Sequence, residues 1–478
     1  MSLPFKRSKP GTVRAAIDPE GQRLLGLDIE TKQPVFAPKG HSSTYAANGS
    51  GKTTSVAVPA VMSFACSEPH KAIAVLDSKD GELASQLAPM LERMGRKVAV
   101  IDDMNTRPEL AHLRVHLNPF GAACATYQRD ARDVRFSTQA IAETLLPEPA
   151  EGDAKNKYFR DVPRDIIGFA LHASLSRNPE QATPGAVAGL LSDPDMLKYI
   201  TEVEVAEGSP LLQSEARTLI EASSIDNWGQ HISEARRALQ LFAPGTRLHD
   251  VGTHKPKSHF ELINQGYVIF IVGPQRFLNL CASYYALHIQ AFCDALYDQA
   301  GALRVIADEF TNTPLKSLVA ALTTLRAYGG EIHMISQSRS EVVRKFGAKE
   351  TQTIEDNSIT MQWLSFSFDE ASRVSKAMGE GHTVMRGISG SAADLKTQTN
   401  LSLAKQPHMT PAELMALPRN WILNHVKGLG FFFTERLTQA NIWPYCDHYA
   451  DNALEGARLP SDPKVTFVAP AGFIGGVA

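Results

Sequence analysis

The segment Ala46-Ala47-Asn48-Gly49-Ser50-Gly51-Lys52-Thr53 narrows the possible folds of this chain more than any other stretch. It follows the phosphate-binding pattern G-x-x-x-x-G-K-[ST], except that alanine holds the first glycine position. Such a loop must let successive backbone N–H groups curl around a polyphosphate, and small residues allow this. Gly49 and Gly51 supply the tight curve. Lys52 is long enough to reach β- and γ-phosphates, and the Thr53 hydroxyl can hold magnesium. Asn48, Ser50 and Thr54 complete the candidate nucleotide-binding set. A methyl group at Ala46 is tolerable if φ there is negative and costly if φ is positive.

The text around the loop reads as α/β. Residues 54–62 suggest a helix opened by the glycines, in which Pro59 is awkward and calls for a kink or a special turn. Ala72-Ile73-Ala74-Val75-Leu76 ends at Asp77, helical text runs from Gly81 to Met94, and Lys97-Val98-Ala99-Val100-Ile101 ends at Asp102. The apolar runs do not alternate, as expected of strands buried on both faces of a parallel sheet. After Asn118-Pro119-Phe120 the character changes. Residues 121–258 contain amphipathic helical segments and no convincing strand, which predicts an all-α domain. Strand text resumes at Tyr267 to Val272, followed by helical Phe277 to Gln299, a strand at Leu303 to Ala307, a helix at Leu315 to Tyr328 and a strand at Glu331 to Ser336. Ile359 to Leu364 and Gly430 to Phe433 are further strand candidates. The expected organisation is a loose basic arm over 1–22, a discontinuous nucleotide-binding domain over 23–120 and 259–450, an all-α domain over 121–258, and a poorly ordered tail over 451–478.

Composition excludes several classes. The chain has 478 residues, 43% of them hydrophobic, which is ample for a large core and more than one domain. With 48 basic and 51 acidic residues the net charge is -3, so any nucleic-acid contact must use a local patch. Five cysteines with no C-x-x-C pair argue against a disulfide framework or a zinc site. The N-terminal Lys6, Arg7, Lys9 and Arg14 have no apolar stretch behind them, unlike a secretory signal. No apolar run approaches the roughly 20 residues that span a bilayer, so a cytoplasmic, soluble chain is expected.

A phosphate loop needs a partner carboxylate at the end of a buried strand, and Val305-Ile306-Ala307-Asp308-Glu309 has that form. Asp308 would orient magnesium together with Thr53, and Glu309 would polarise the attacking water. Gln337, after the following strand, would sit beside Asp308 and sense the γ-phosphate. Arg326, at the end of the intervening helix, either complements the helix dipole or projects to a neighbouring subunit's nucleotide as an arginine finger.

At this point the chain resembles the coupling proteins of conjugative type IV secretion, of the TraG/TraD type. The resemblance spans roughly residues 24–446. Its segments, in order, are Asn48-Gly49-Ser50-Gly51-Lys52-Thr53, then Leu76-Asp77-Ser78-Lys79-Asp80-Gly81-Glu82-Leu83, then Asn118-Pro119-Phe120. Ala307-Asp308-Glu309-Phe310, Arg326-Ala327-Tyr328-Gly329, Ser336-Gln337-Ser338 and the closing run Met409 to Pro418 follow. The resemblance implies a RecA-like P-loop NTPase core with a mostly parallel sheet, interrupted by an all-α domain and assembled as a hexamer. It implies ATP and Mg²⁺ as cofactors, with Gln337 and Arg326 serving nucleotide between subunits. The implied partners are DNA, relaxase and components of the secretion channel. Asp77 to Glu82 looks like the family's D-x-K-x-E text with one extra residue, so Lys79 faces a nucleotide or the ring lumen; the plain alternative is a helix capped by Ser78 or Asp80 with a solvated lysine. Many members begin with transmembrane helices and this sequence shows none, which calls for partners that bring it to the inner face of the cell membrane. Candidate DNA contacts are Arg129, Arg132, Arg135, Lys255 and Lys257, each equally explained as surface charge. A motor for protein effectors or for duplex DNA in a FtsK/HerA-like role, and a docking platform with little hydrolysis, stay open as alternatives.

Overall fold

The structure is a computed structural model that describes residues 16–150, 157–224, 226–255, 257–312, 316–389, 398–469 and 473. Most of the expected basic arm, including Lys6, Arg7, Lys9 and Arg14, lies outside the described residues.

Among the described residues fifteen strands follow in chain order. They are β1 (Arg23–Asp28), β2 (Pro34–Ala37), β3 (Ser42–Tyr45), β4 (Ala72–Asp77), β5 (Val98–Ile101), β6 (Val268–Val272), β7 (Leu303–Ala307) and β8 (Gly330–Ser336). Then come β9 (Thr360–Trp363), β10 (Glu380–Ser389), β11 (Gln398–Pro407), β12 (Trp421–Val426), β13 (Gly430–Glu435), β14 (Ile442–Trp443) and β15 (Val465–Thr466). An 11-stranded sheet has the order β2-β1-β13-β12-β9-β3-β8-β7-β4-β6-β5. From β9 to β5 every neighbouring pair is parallel; β12, β13, β1 and β2 extend the sheet by antiparallel pairing. This is the α/β architecture with a mostly parallel sheet that the apolar runs predict.

Burial on both faces explains why those runs are continuous. In β4, Ala72, Ala74 and Leu76 join one core while Ile73 and Val75 join the other. β6 divides in the same way, with Ile269 and Ile271 on one side and Val268, Phe270 and Val272 on the other. Each of the larger side chains, Val, Leu, Ile or Phe, contributes about 1.5–3 kcal/mol on burial. The first core is shared with the helices of the strand-free stretch, through Ile166, Phe169, Val187, Leu212 and Phe242. Among the described residues of 121–258 no strand occurs. The second core is covered by two helices, α1 (Val58–Ser67) and α2 (Glu82–Arg93).

At Pro59 the structure takes a special turn of the kind the sequence called for, and in three other places it departs from the sequence reading. Pro59 neither breaks nor ends its helix. A π turn over Thr53–Ala57 precedes it, with Val58 N–H bonded to Thr53 O, and this wider turn accommodates a residue that has no N–H to give. The helix expected at Leu315 to Tyr328 is short, Lys316–Ala321, and is followed by a separate 3₁₀ turn, Leu325–Tyr328; positions 313–315 lie outside the described residues. The Pro- and Gly-rich tail is packed in its described part. Val465 and Phe467 are buried in the second core, β15 pairs with β14, and Ile17 N–H bonds Thr466 O. Finally, β10 and β11 form a separate antiparallel ribbon with ten residues in each strand, which the sequence did not announce.

Candidate functional site

The loop after β3, the turn after β4, the acids after β7 and the glutamine after β8 all fall at the carboxyl ends of parallel strands. Open α/β sheets bind ligands there. Because β8 lies between β3 and β7, Gln337 is placed between the loop and the acids rather than outside them.

Gly49 and Gly51 adopt φ of 71° and 81°, conformations that side chains resist. Ala46 is absent from the residues with positive φ, and its N–H donates to Ser336 O at 3.0 Å. Its methyl group is fully buried in the second core. The missing glycine is therefore not a conformational defect, because Ala46 extends the β3–β8 ladder. The loop is also braced from outside. Ala47 N–H donates to Ser365 Oγ at 2.9 Å, Ser50 Oγ donates to Ala47 O, and Arg436 Nη1 donates to Ser50 O. Arg436 also reaches Leu364 O at 2.7 Å.

The charged residues converge. Lys52 Nζ lies 2.6 Å from Glu309 Oε1 and 3.3 Å from Asn48 Oδ1. Thr53 Oγ1 donates to Asp308 Oδ2 at 2.9 Å, across 255 positions of sequence. Thr54 Oγ1 bonds back to Gly51 O at 3.2 Å. Gln337 Nε2 donates to Glu309 Oε2 at 3.3 Å, so it contacts Glu309 rather than Asp308. Glu309 itself has a left-handed backbone, φ 57°, a strain of order 1–2 kcal/mol for a residue with a Cβ. Burial would raise the Glu309 pKa, but Lys79 and Lys52 outweigh it and hold the carboxyl below its ordinary range. Lys79 enters from the turn after β4, 3.1 Å from Glu309 Oε1 and 3.4 Å from Asp308 Oδ2. Burial would lower its pKa, but Asp308 and Glu309 raise it on balance.

The capping alternative for this turn does not hold. Ser78 Oγ is buried with no hydrogen-bond partner among the described residues, and Asp80 accepts from Gln275 N–H. Asp77, one strand over from Asp308, accepts from Ala84 N–H at 2.7 Å and so secures the first turn of α2. Burial pushes the Asp77 carboxyl up to about 7.

Arg326 is not brought to this site. It is exposed on the 3₁₀ turn that precedes β8, whereas Gln337 follows β8, so the seven residues of that strand separate them by roughly 23 Å. The turn is firmly seated, with Leu325 fully buried and the Tyr328 ring edge-on to Tyr297 at 5.0 Å. Of the candidate DNA contacts, Arg129, Lys255 and Lys257 line one cleft together with the acidic Glu180 and Asp298. Arg129 pairs with Asp298, Arg132 with Asp130, Lys255 bonds Glu180 O, Lys257 lies over the Tyr267 ring, and Arg135 is exposed.

The site fits a magnesium nucleotide. Thr53 Oγ1 and Asp308 Oδ2 are adjacent hard oxygen donors, and the Lys79 cation already lies within 3.5 Å of both. No group of three or more His, Cys, Asp or Glu side chains placed to hold a metal ion occurs among the described residues. Arg436 and Ser365 were not legible as site residues, because no motif marks them; they act through loop carbonyl and amide groups.

Fold and site together define a nucleotide-binding P-loop NTPase of RecA-like architecture. The model of the type IV secretory system conjugative DNA transfer family matches residues 11–211, and that of the TraM recognition site of TraD and TraG matches residues 302–419. The chain belongs to the TraG/TraD-type coupling protein family. No curated protein matches it by sequence. Among solved structures it is similar to the unbound bacterial conjugative coupling protein TrwB, with 16% identity, 90% of each chain covered and a TM-score of 0.63. TrwB in complex with a non-hydrolysable ATP analogue is also similar, with 16% identity, 88% of each chain and 0.61. VirB4 of Thermoanaerobacter pseudethanolicus shares 11% identity over 92% of this chain and 100% of its own, with a TM-score of 0.50. At these identities the likeness is one of fold. Among the described residues no helix is long and apolar enough to cross a membrane.

Proposed function

We propose that this protein is an ATP-hydrolysing motor that drives DNA, free or relaxase-bound, toward a type IV secretion channel. The observation that carries this reading is the contact of Lys52 and Thr53 with Glu309 and Asp308, which joins a phosphate loop to a pair of strand-end acids. In this reading the loop amides of residues 48–53 and Lys52 hold the polyphosphate, and Thr53 and Asp308 orient magnesium. Bound magnesium would neutralise phosphate charge. Glu309 accepts a proton from the attacking water once nucleotide draws Lys52 away, and Gln337, already bonded to Glu309, reports the γ-phosphate to β8.

Arg326 cannot serve its own nucleotide from the far end of β8, so we assign it to a neighbouring subunit's site. That role requires a ring, and a hexamer suits the family. The chain works at the cytoplasmic face of the membrane, held there by channel partners. Its DNA contact is with the backbone and independent of sequence.

The test is ATPase activity of the purified chain alone, with single-stranded DNA and with duplex DNA. Stimulation by single strands is expected. Stimulation by duplex alone would move the reading to a duplex motor. Nucleotide binding with no phosphate release under any condition would leave a docking platform.

A further inference from the structure

Lys79 has a place in the site that the nucleotide reading does not use. Its Nζ lies 3.1 Å from Glu309 Oε1, 3.4 Å from Asp308 Oδ2 and 3.5 Å from Thr53 Oγ1. The last two oxygens are the pair that suits a divalent ion. Two ammonium groups, Lys52 and Lys79, thus face two buried carboxylates, and these four side-chain charges balance. The two lysines differ in freedom. The Lys52 side chain is 6% exposed and that of Lys79 is 19% exposed. Lys79 is carried on a tight turn whose next two residues, Asp80 and Gly81, have φ of 52° and 68°, and the Asp80 carboxylate is tied to Gln275 N–H. The backbone is fixed while the side chain can swing. A divalent ion on Thr53 and Asp308 could not share those oxygens with an ammonium group this close, since like charges at such range in a partly buried site repel strongly.

We propose that Lys79 is a tethered counter-cation that holds the divalent position at Thr53 and Asp308 while no metal is bound, and so sets how strongly nucleotide binding depends on magnesium. The inference rests on the nucleotide-site reading. Lys79 is a positioning residue in it, acting on the donors of the metal rather than on the reacting atoms. Without Lys79 the site carries two acids against one lysine. It should then attract a bare divalent ion and repel metal-free polyphosphate.

The experiment is calorimetric titration of the full chain and of its Lys79→Met, Lys79→Gln and Lys79→Arg variants. Three probes are used: Mn²⁺ alone, a non-hydrolysable ATP analogue in chelator, and the same analogue with Mg²⁺. In Lys79→Met or Lys79→Gln, Mn²⁺ alone should bind about tenfold tighter and metal-free analogue about tenfold weaker, while the magnesium complex changes by less than about threefold. Lys79→Arg should restore the wild-type ratio. Equal change in all three probes, or change in none, overturns the proposal, because a merely structural lysine would not separate metal-free from metal-bound ligand. If both uncharged variants unfold, wild-type protein decides: Mn²⁺ alone binding as tightly as it does beside the analogue overturns it, and weaker binding supports it. If wild type binds the analogue in neither form, the nucleotide reading itself fails and takes this proposal with it. If it binds the magnesium complex and the variants leave the ratio unchanged, only the role of Lys79 fails.

Discussion

Lys52 and Glu309 form a 2.6 Å ion pair in which both side chains are almost wholly buried. The phosphate-loop lysine is thus held on the carboxylate assigned to activate water, and nucleotide must break this pair to reach Lys52. Glu309→Gln should therefore bind ATP at least as tightly as wild type, while its turnover falls by about 10²-fold or more. Lys52→Ala should lose hydrolysis and most of its nucleotide affinity. Parallel binding and phosphate-release measurements check both, and wild-type turnover in Glu309→Gln would remove Glu309 from its assigned role.

Arg326 and Gln337 bracket β8 from opposite ends, and only Gln337 faces the chain's own loop. If the arginine acts across a subunit boundary, mixing inactive Arg326→Ala with inactive Lys52→Ala should restore part of the activity, since some interfaces then carry an intact loop and an intact finger. Hydrolysis measured across mixing ratios reads this directly. Activity that stays at baseline at every ratio would count against a trans role.

The legible parts of this molecule are those whose physics is local. β4, β6 and β7 are runs of apolar residues because both faces are buried, and the phosphate loop is marked by glycines that must adopt positive φ. β3, which carries the loop, could not be read by hydrophobicity. Its four residues, Ser42 to Tyr45, are buried through polar partners: Ser42 with His333, Ser43 with Ser358, and Tyr45 with Glu355. Those partners lie about 300 positions away, so no window of sequence contains them. Arg436 escaped for the same reason. The tail was misjudged because its Pro- and Gly-rich composition suggested disorder, whereas the few apolar residues Val465 and Phe467 suffice to anchor it. Within the site, the strand-end acids and Gln337 were visible from position alone. That Gln337 bonds Glu309 follows from the insertion of β8 between β3 and β7.

Asp77 gives the site a pH signature. Its carboxyl is pushed up to about 7 by burial, above the value near 4 that it has in an unfolded chain. The folded state then binds this proton more tightly than the unfolded state. Its contribution is fully present below about pH 4 and is lost as pH rises to about 7. Asp77→Asn keeps an oxygen for the Ala84 N–H and carries no charge. It should match wild type at about pH 4 and below and exceed it at pH 8, by at most about 4 kcal/mol. Thermal melts of the nucleotide-free protein at the two pH values test this, and an equal difference at both would show that Asp77 is not the titrating group.

Phe467 is 1% exposed, and its N–H donates to Trp443 O at 2.8 Å. It fastens the C-terminal segment under the same core that supports α1 and the phosphate loop. Phe467→Ala should cost about 3–5 kcal/mol in unfolding free energy. Urea denaturation followed by tryptophan fluorescence measures it. A loss below about 1 kcal/mol would mean that the tail is not part of the cooperative core.

Arg436 joins three backbone carbonyls that belong to different parts of the sheet. It donates to Ser50 O in the loop, to Leu364 O at 2.7 Å just after β9, and to Trp421 O at 3.4 Å in β12. Its guanidinium is a rigid fork, so it sets the distance from the loop to β9 and β12 as a lysine could not. Removing it takes a donor from three partly buried carbonyls, at no more than about 1–3 kcal/mol each. Arg436→Ala should therefore lower the melting temperature of the nucleotide-free protein. It should also weaken nucleotide binding by about tenfold, because the loop must then be ordered by the ligand itself. Arg436→Lys should recover little of either, since one ammonium cannot span Ser50, Leu364 and Trp421. Paired measurements of melting temperature and nucleotide dissociation constant separate the two effects. Lower stability with unchanged affinity would reduce Arg436 to a packing role, and the loop would then hold its shape through Ser365 and the β3–β8 ladder alone.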